Sequence, residues 1–548
     1  MTSPGTIATD TRDATASPGP AQADRARSGW NGRPGWPPRR RRRPAVLLAS
    51  SALVATALAL PLVFLLIEAK GAGLADVWRL MARPLTGQLL WNTVRLTVTV
   101  TALSAVIGTA AAWCTERTDL PGRRVWAALV VVPLAIPDFV VSFGWFSLWS
   151  WVQGFRGAVI VLTLAVYPLV YLPVAASFRS ADPGQEEVAR SLGTSRVATF
   201  FRITIRQARG AILGGCVLVA LVLLAEYGAF EILGYQTFTT EIFSEINTYA
   251  FAGACALSLV LVLLSLVVLG GEAMFRGRGL VSRAGPLAQR KIPPKRLGRA
   301  RWPVLFGFGL LVALALGVPV GASVYWMLDP GNPGLTGGVS LLTAAWHTAE
   351  YGVLAAALST AACFPVAMLA LRHRSRIGQL LERSTFIVLA MPGIVIAFAL
   401  SYFVEIYGHG FGYDTTALLV ICYSIMFFPL ALVGVKASLA RAPAKLDEIA
   451  RSLGQRQLAV LWRVTLRLAG PGLVAAFCLV FLSVVTELTA TLLLLPTGVQ
   501  TLATQFWEYQ SNLSYGQAAP FALVMIAVAA VPSYLLGRFF DRSTASRR

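Results

Sequence analysis

The stretch EEVARSLGTSRVATFFRITIRQ, residues 186–207, occurs a second time as DEIARSLGQRQLAVLWRVTLRL, residues 447–468. The two copies align without a gap, 261 positions apart, and are identical at 10 of 22 positions. Many of the differences keep the chemistry, as where Glu186 aligns with Asp447. Both copies are polar and basic, whereas the sequence around them is strongly apolar. This duplicated segment, set in apolar surroundings, guides the interpretation of the rest of the chain.

The composition is that of a membrane protein with many spans. Of 548 residues, 56% are hydrophobic and 13% are charged, against about 25% charged in soluble domains. Apolar runs of about 20 residues, enough to cross a hydrocarbon core about 30 Å thick, recur along the chain. We therefore expect an all-α integral membrane protein with about twelve transmembrane helices. The predicted spans are 45–67, 90–113, 125–148, 157–178, 211–233, 250–271, 303–327, 349–371, 384–405, 415–437, 472–495 and 518–537.

The net charge of +21 reflects the orientation of the chain in the membrane rather than binding to nucleic acid. With a cytoplasmic N-terminus and twelve alternating spans, the inner segments hold all but five of the 47 Lys and Arg residues. Cytoplasmic loops of membrane proteins carry such an excess. We therefore predict a multi-pass protein of a bacterial plasma membrane with both termini in the cytoplasm. The five remaining residues are Lys70, Arg79, Arg83, Arg95 and Arg156.

The N-terminal residues 1–44 are rich in Pro, Gly, Ala and Arg, and they end in PPRRRRRP. A segment of this composition cannot bury a core, so we expect a disordered, basic cytoplasmic tail. Its Arg run is suited to contact with anionic membrane lipid. The apolar run that follows, 45–67, is longer than the core of a cleaved signal sequence, and we expect it to remain as the first span.

The chain consists of two halves of one design. From the fourth span onward the offset between the halves is 261, which aligns Glu226 with Glu487; upstream it is 255, which aligns Trp91 with Trp346. Six spans in each half give both halves the same orientation, so they are parallel repeats. We expect a first six-span half at 45–274, a basic cytoplasmic linker at 275–302 and a second six-span half at 303–548.

Each copy of the duplicated segment lies in the cytoplasm between the fourth and fifth spans of its half. Val188 and Leu192 are four residues apart, on one face of a helix, and Gly193 then interrupts the pattern. A second amphipathic stretch follows. We predict a short helix, a glycine turn and a second helix that leads into the membrane. Interfacial helices bound to lipid phosphates would share this amphipathicity, but lipid requires no sequence match between two copies.

Both copies resemble the E-A-A-x3-G-x9-I-x-L-P loop of ABC-importer permeases. The matching residues are Glu187, Ala189, Gly193 and Ile203 in the first copy, and Glu448, Ala450 and Gly454 in the second, where Val464 stands in the place of the Ile. The departures are Val188 and Ile449 at the first Ala, and Arg206 and Arg467 at the final Pro. In that family the loop is a coupling helix that docks on the ATPase subunit. The resemblance therefore implies two coupling helices, each with a cytoplasmic position.

Flanking sequence narrows the resemblance to fused ferric-iron importer permeases. Similar stretches are TELTATLLLLPTGVQTLATQFWEY (486–509), EYGAFEILGYQTFTTEIFS (226–244) and PLAIPDF (133–139). The resemblance implies ferric iron as the cargo, two copies of an ABC ATPase as partners and an extracytoplasmic substrate-binding protein. Relatives for thiamine, polyamines and other small solutes share the loop, so these cargoes remain alternatives.

No feature of the sequence indicates catalysis or nucleotide binding. The chain has no G-x-x-x-x-G-K-[ST] phosphate loop and no recognisable nucleophile–base set, so we expect a transporter subunit and not an enzyme. ATP is then hydrolysed by the partner, and this chain binds no cofactor. Six Cys and three His residues show no metal-ligand spacing, so we expect no metal site.

Three carboxylates within the predicted spans are candidates for the translocation pathway. Ionisable side chains inside a membrane are costly and commonly functional. Glu226 and Glu487 occupy equivalent places in spans five and eleven, past the midplane towards the outside, where a carboxylate pair could attract a cation. Asp138 follows Pro137 in span three. Alternatively, the three side chains serve packing through hydrogen bonds to neighbouring spans, one of the glutamates with Arg95.

Two further classes of function are compatible with twelve spans. A secondary transporter driven by an ion gradient can have two six-span halves, but it needs no matched docking helices in the cytoplasm. A membrane-embedded enzyme needs polar side chains that converge within the spans, and the sequence offers only isolated carboxylates. The permease of an ABC importer is therefore the leading prediction.

Overall fold

The computed structural model describes residues 45–71, 79, 82–181, 184–276, 295–329, 338–372, 376–408, 412, 414–440, 442 and 444–545. The predicted tail, 1–44, and most of the predicted linker, 277–294, lie outside the described residues. Within the described ranges the chain is predominantly helical. The described residues also contain an isolated parallel β-bridge between Thr118 and Lys295.

The helices follow one another in the same order in both halves. The first half contains Ala45–Gly71, Pro84–Arg117, Arg123–Leu129, Asp138–Leu148, Gly154–Val166, Pro168–Ser180, Gly184–Ser191, Arg196–Thr199, Ile205–Ala225, Gly228–Ile232, Phe238–Asn247 and Phe251–Arg276. The second half contains Arg301–Val312, Val318–Leu328, Gly338–Arg372, Arg376–Thr385, Gly393–Tyr407, Thr416–Met426, Phe428–Ala440, Ala444–Ser452, Gln457–Val460, Leu466–Val485, Thr489–Leu494, Leu502–Ser511 and Tyr515–Ala545.

The apolar helices confirm the predicted all-α membrane fold. Among the described residues, 8 helices are long and apolar enough to cross a membrane, and three bent helix pairs raise the number to 11. The pairs bend by 91° beside Pro137, by 102° beside Pro392 and by 58° at Phe427. Proline fixes φ and lacks the N–H that would continue a helix, which explains the first two bends. The last predicted span lies in Tyr515–Ala545, whose shorter apolar part is Tyr515–Ala530.

The predicted fifth and eleventh spans are wrong at their outer ends. Instead of continuing to residues 233 and 495, the long helices end at Ala225 and Val485. Glu226 has extended backbone, with φ −73° and ψ 136°, and a separate short helix begins at Gly228. The apolar sequence on both sides of each break hid the interruption, because apolar composition alone does not show where a helix ends.

The first span of each half packs against the other half. Phe64 of the first span meets Tyr402 and Phe403 of the second half edge to face, with ring centroids 5.5 and 5.6 Å apart. In the opposite direction, Pro319 lies against Gly144, where an added Cβ would be 2.6 Å from the Pro319 Cα. Small residues permit such close approach between membrane helices. The two halves are therefore interlocked.

Candidate functional site: coupling helices and central carboxylates

The predicted helix, glycine turn and second helix are confirmed in both copies. The short helices are Gly184–Ser191 and Ala444–Ser452, which we call the first and second coupling helices after the role that the resemblance implies. Two residues after the end of each helix is a glycine with φ +82°, Gly193 or Gly454. In the first copy the amides of Gly193 and Thr194 donate to the carbonyls of Arg190 (3.0 Å) and Ala189 (3.1 Å), and the second copy repeats both bonds. Glycine is favoured at this left-handed position after a helix because it lacks a Cβ.

The helix after each turn runs into the membrane without a break. It begins at Arg196 or Gln457, widens to a π-helical turn at Phe200–Thr204 or Leu461–Thr465, and continues as Ile205–Ala225 or Leu466–Val485. Arg206 and Arg467, which replace the proline of the resembling motif, keep the backbone N–H that a continuous helix needs. The π-helical turns were not predicted from the sequence.

Each coupling helix and the helix after it present large apolar side chains on the surface. Val188, Leu192 and Phe201 of the first copy, and Ile449, Leu453 and Trp462 of the second, are between 54% and 78% exposed. The motif glutamates, Glu187 and Glu448, are also exposed, whereas Ala189 is buried. Clustered exposed apolar side chains of this kind mark a surface that contacts a protein or the membrane. The structure thus contains two matched surfaces, one in each half.

A buried ion pair fixes the first coupling helix, and sequence reasoning missed it. Glu186 accepts hydrogen bonds from Arg117 (3.2 Å) and Thr204 (2.8 Å), and the Lys295 Nζ lies 3.3 Å from its other oxygen. Burial by itself raises the pKa of Glu186. The Thr204 hydrogen bond and the charges of Arg117 and Lys295 outweigh that effect and hold the pKa below its usual value, so the carboxylate is ionised at neutral pH.

The second coupling helix is fixed in the same way. The Asp447 carboxylate lies 3.2 Å from Arg372 and accepts a hydrogen bond of 3.1 Å from Thr465. Arg117 and Arg372 are equivalent at the offset of 255, and Thr204 and Thr465 at 261. The matching positions of these residues in the two halves could have revealed the ion pairs from the sequence. A polar residue beside a motif is, however, usually interpreted as solvent-exposed.

Glu226 and Glu487 each hold the start of the short helix that follows the broken span. The amide of Ala229 donates to Glu226 Oε1 at 2.8 Å, and the amide of Ala490 donates to Glu487 Oε1 at 3.1 Å. A carboxylate at a helix N-terminus satisfies amides that have no partner within the helix. Both glutamates therefore have a structural role, and both residues are half-buried.

The structure brings the three predicted pathway carboxylates together where the halves meet. A Cβ added at Gly228, two residues after Glu226, would be 2.7 Å from Leu488 Cδ2 and 3.0 Å from the Phe139 Cβ. Leu488 and Phe139 directly follow Glu487 and Asp138, and both of these carboxylates interact electrostatically with Glu226. Asp138, like the two glutamates, is half-buried.

Arg95 has other partners than the glutamates. Its guanidinium lies over the Phe155 ring, 3.9 Å from the centroid, and donates to the Tyr235 hydroxyl at 3.4 Å. The part of the chain that the structure describes contains no group of three or more His, Cys, Asp or Glu side chains arranged to hold a metal ion. Among the described residues, the three carboxyl groups therefore do not form a chelating set.

The family of the chain follows from two matches, one in each half. Residues 104–276 and 363–546 both match the family described as "Binding-protein-dependent transport system inner membrane component". The chain belongs to this family. The two matched regions contain the two coupling helices, and they agree with the predicted pair of permease repeats in a multi-pass membrane protein.

Relatives with curated names extend the comparison over nearly the whole chain. The chain is 34% identical to "Fe(3+)-transport system permease protein FbpB 2" of Haemophilus influenzae over 502 residues, which are 91% of this chain and 99% of that protein. It is 23% identical to "Ferric transport system permease protein FbpB" of Actinobacillus pleuropneumoniae, over 83% of this chain and 71% of that protein. It is also 27% identical to the "Molybdate/tungstate transport system permease protein WtpB" of Pyrococcus furiosus, over 40% of this chain and 90% of that protein.

Proposed function

We propose that this chain is the fused permease subunit of an ATP-driven ABC importer for ferric iron. The halves alternate access to a central pathway when a pair of ATPase subunits closes on the cytoplasmic side. The chain itself hydrolyses no ATP and binds no cofactor. A substrate-binding protein delivers the cargo from outside, and both termini of the permease lie in the cytoplasm of a bacterial cell.

The observation that carries this proposal is the matched pair of coupling helices. Both have the same turn geometry, the same buried carboxylate and equivalent exposed apolar side chains. Two equivalent surfaces in one chain suit a two-fold symmetric partner, since each surface meets the same patch of one partner subunit. A secondary transporter driven by an ion gradient has no use for such a pair.

The cargo is proposed from the relatives and from the central carboxylates. The relative with 34% identity over 91% of this chain is named as an Fe(3+) permease. Three carboxylates where the halves meet favour a hard cation, which carboxylate oxygens bind well. Carboxyl groups offer an oxyanion no hydrogen-bond donor when ionised, although relatives named for molybdate and sulfate match about 40% of this chain. Thiamine and polyamines, which are also cations, remain alternatives that only transport assays separate.

The test is cargo uptake by the purified complex of this permease with its ATPase and binding protein, reconstituted in vesicles. Radiolabelled ferric iron is the main cargo, and molybdate, sulfate, thiamine and spermidine are parallel cargoes. We expect ferric iron to accumulate and the others to stay outside. Uptake of another cargo in place of iron would overturn the substrate assignment and keep the permease.

Orientation has a separate test. Reporter fusions after residues 190, 290 and 450 are expected to report the cytoplasm. An outside signal at any of them would contradict the proposed topology.

A further inference from the structure

The carboxylate before each motif glutamate joins three segments of its half. In the first half, Glu186 connects the coupling helix to Arg117 at the end of the second span and to Thr204 at the start of the fifth. Asp447 makes the corresponding connections in the second half, to Arg372 and Thr465. We call these two sets of contacts the first joint and the second joint.

Burial makes the joints resistant to separation. The side chains of Arg117 and Glu186 are 2% and 9% exposed, and those of Arg372 and Asp447 are 12% and 13% exposed. A surface ion pair contributes little, because water replaces either partner easily. Separation of a buried pair leaves a charge without compensation, which is strongly unfavourable. A coupling helix that moves will therefore carry the attached span ends with it.

One helix also connects each joint to the region where the halves meet. The helix Ile205–Ala225, which starts next to Thr204, has 21 residues. At 1.5 Å per residue it is about 30 Å long. Its far end is Glu226, one of the three central carboxylates. The second half repeats this route from Thr465 through Leu466–Val485 to Glu487.

The first joint differs from the second because the end of the linker is built into it. Lys295 places its ammonium 3.3 Å from Glu186, and its amide donates to the Arg117 carbonyl at 2.8 Å. The amide of Asp119 donates to the Lys295 carbonyl (3.1 Å), and the Asp119 carboxylate accepts from the amide of Leu297 (2.8 Å). At the second joint, Arg372 instead donates to the Ala442 carbonyl at 2.8 Å.

We propose that Glu186 and Asp447 are positioning residues that transmit coupling-helix movement to the spans, and that Lys295 stiffens the first joint and connects it to the second half. This inference rests on the proposed function, since it assumes that an ATPase moves the coupling helices. The connection to the second half is direct, because the helix Arg301–Val312 begins six residues after Lys295 and belongs to that half. The two coupling helices are consequently not equivalent in transmission.

The test measures ferric iron uptake and ATP hydrolysis in the same reconstituted complexes. The variants are Glu186→Gln, Asp447→Asn and Lys295→Ala. The matched controls are Arg296→Ala, which removes an exposed neighbouring charge, and Asp447→Glu, which keeps the carboxylate. We expect the three variants to lower iron taken up per ATP hydrolysed by about fivefold or more, the low end of typical coupling between sites. The controls should match the wild type, and Glu186→Gln should exceed Asp447→Asn in effect, because it leaves two cations uncompensated.

A purely structural role predicts a different result. In that case uptake and hydrolysis fall together, in proportion to the ATPase retained in the purified complex, and their ratio stays at the wild-type value. Such a constant ratio in Asp447→Asn and Lys295→Ala would overturn the inference, even if Glu186→Gln does not assemble. Failure of the proposed function would look different, because the wild-type complex itself would then import no iron. In that case the effect of the variants on ATP hydrolysis stimulated by the binding protein still tests the joints.

Discussion

Substitution of the two turn glycines by valine isolates the role of the coupling helices. Gly193 and Gly454 both have φ +82°, and no atom lies within 4 Å of a Cβ added at either one. Steric collision therefore contributes nothing, and the cost is that of the left-handed backbone, about 1–2 kcal/mol for each L-residue. β-Branched residues are especially rare at positive φ.

The expected effect is local disorder of the coupling helices in a folded protein. A cost of about 1–2 kcal/mol at each site lowers the ratio of formed to frayed helix ends by a factor of about 5–30. Domain stability is several times larger than this cost, so the amount of protein in the membrane should not change. We expect Gly193→Val with Gly454→Val to reduce ATP-dependent uptake about fivefold or more.

The assay compares uptake at equal membrane abundance, measured by immunoblot, with Gly210→Val as the matched control. Gly210 lies in the helix Ile205–Ala225, has no atom within 4 Å of an added Cβ and has ordinary helical φ. The control should transport like the wild type. Full uptake by the double variant would refute the assignment of these segments as coupling helices.

Three further predictions concern other parts of the molecule. Glu226→Gln with Glu487→Gln keeps an acceptor for the Ala229 and Ala490 amides but removes two ionisable groups, so ferric iron uptake should fall about tenfold while Tm is unchanged. Normal uptake would assign both residues to packing. Gly144→Val should lower Tm, because the new Cβ would lie 2.6 Å from the Pro319 Cα and overpacking costs about 1–3 kcal/mol. The control Gly307→Val should leave Tm unchanged, because no atom lies within 4 Å of a Cβ added there. The pKa of Glu186 is lowered in the folded protein, so its ionised carboxylate stabilises the fold fully at pH values above 4.5, the ordinary pKa. The Tm difference between the wild type and Glu186→Gln should therefore be largest at pH 7 and shrink as the pH falls below 4.5. A Tm difference that does not change with pH would contradict the ion pair.

The sequence was sufficient for features that depend on composition and on repetition. Long apolar runs have few structural solutions in a membrane, so the helices could be predicted directly. The turn glycines could be predicted because a glycine at the end of an amphipathic pattern has a local meaning. Glu226 and Glu487 were found because a charged residue in an apolar run is conspicuous.

Features that depend on distant contacts could not be predicted. Glu186 pairs with Arg117, 69 positions away, and nothing local distinguishes it from the exposed Glu187 beside it. The packing of the first span of each half against the other half depends on close contacts, such as that of Gly144 with Pro319. The helix breaks at Glu226, where the carboxylate accepts a hydrogen bond from the Ala229 amide. This contact exists only in the folded backbone and leaves no pattern in the sequence.

The most direct test of the central claim is the initial rate of ferric iron uptake with and without ATP. Vesicles hold the wild-type permease with its ATPase, and the binding protein is supplied with radiolabelled ferric iron. We expect uptake that requires ATP and stops when the binding protein is omitted. Equal rates with and without ATP, driven instead by an imposed ion gradient, would contradict it and indicate a secondary transporter.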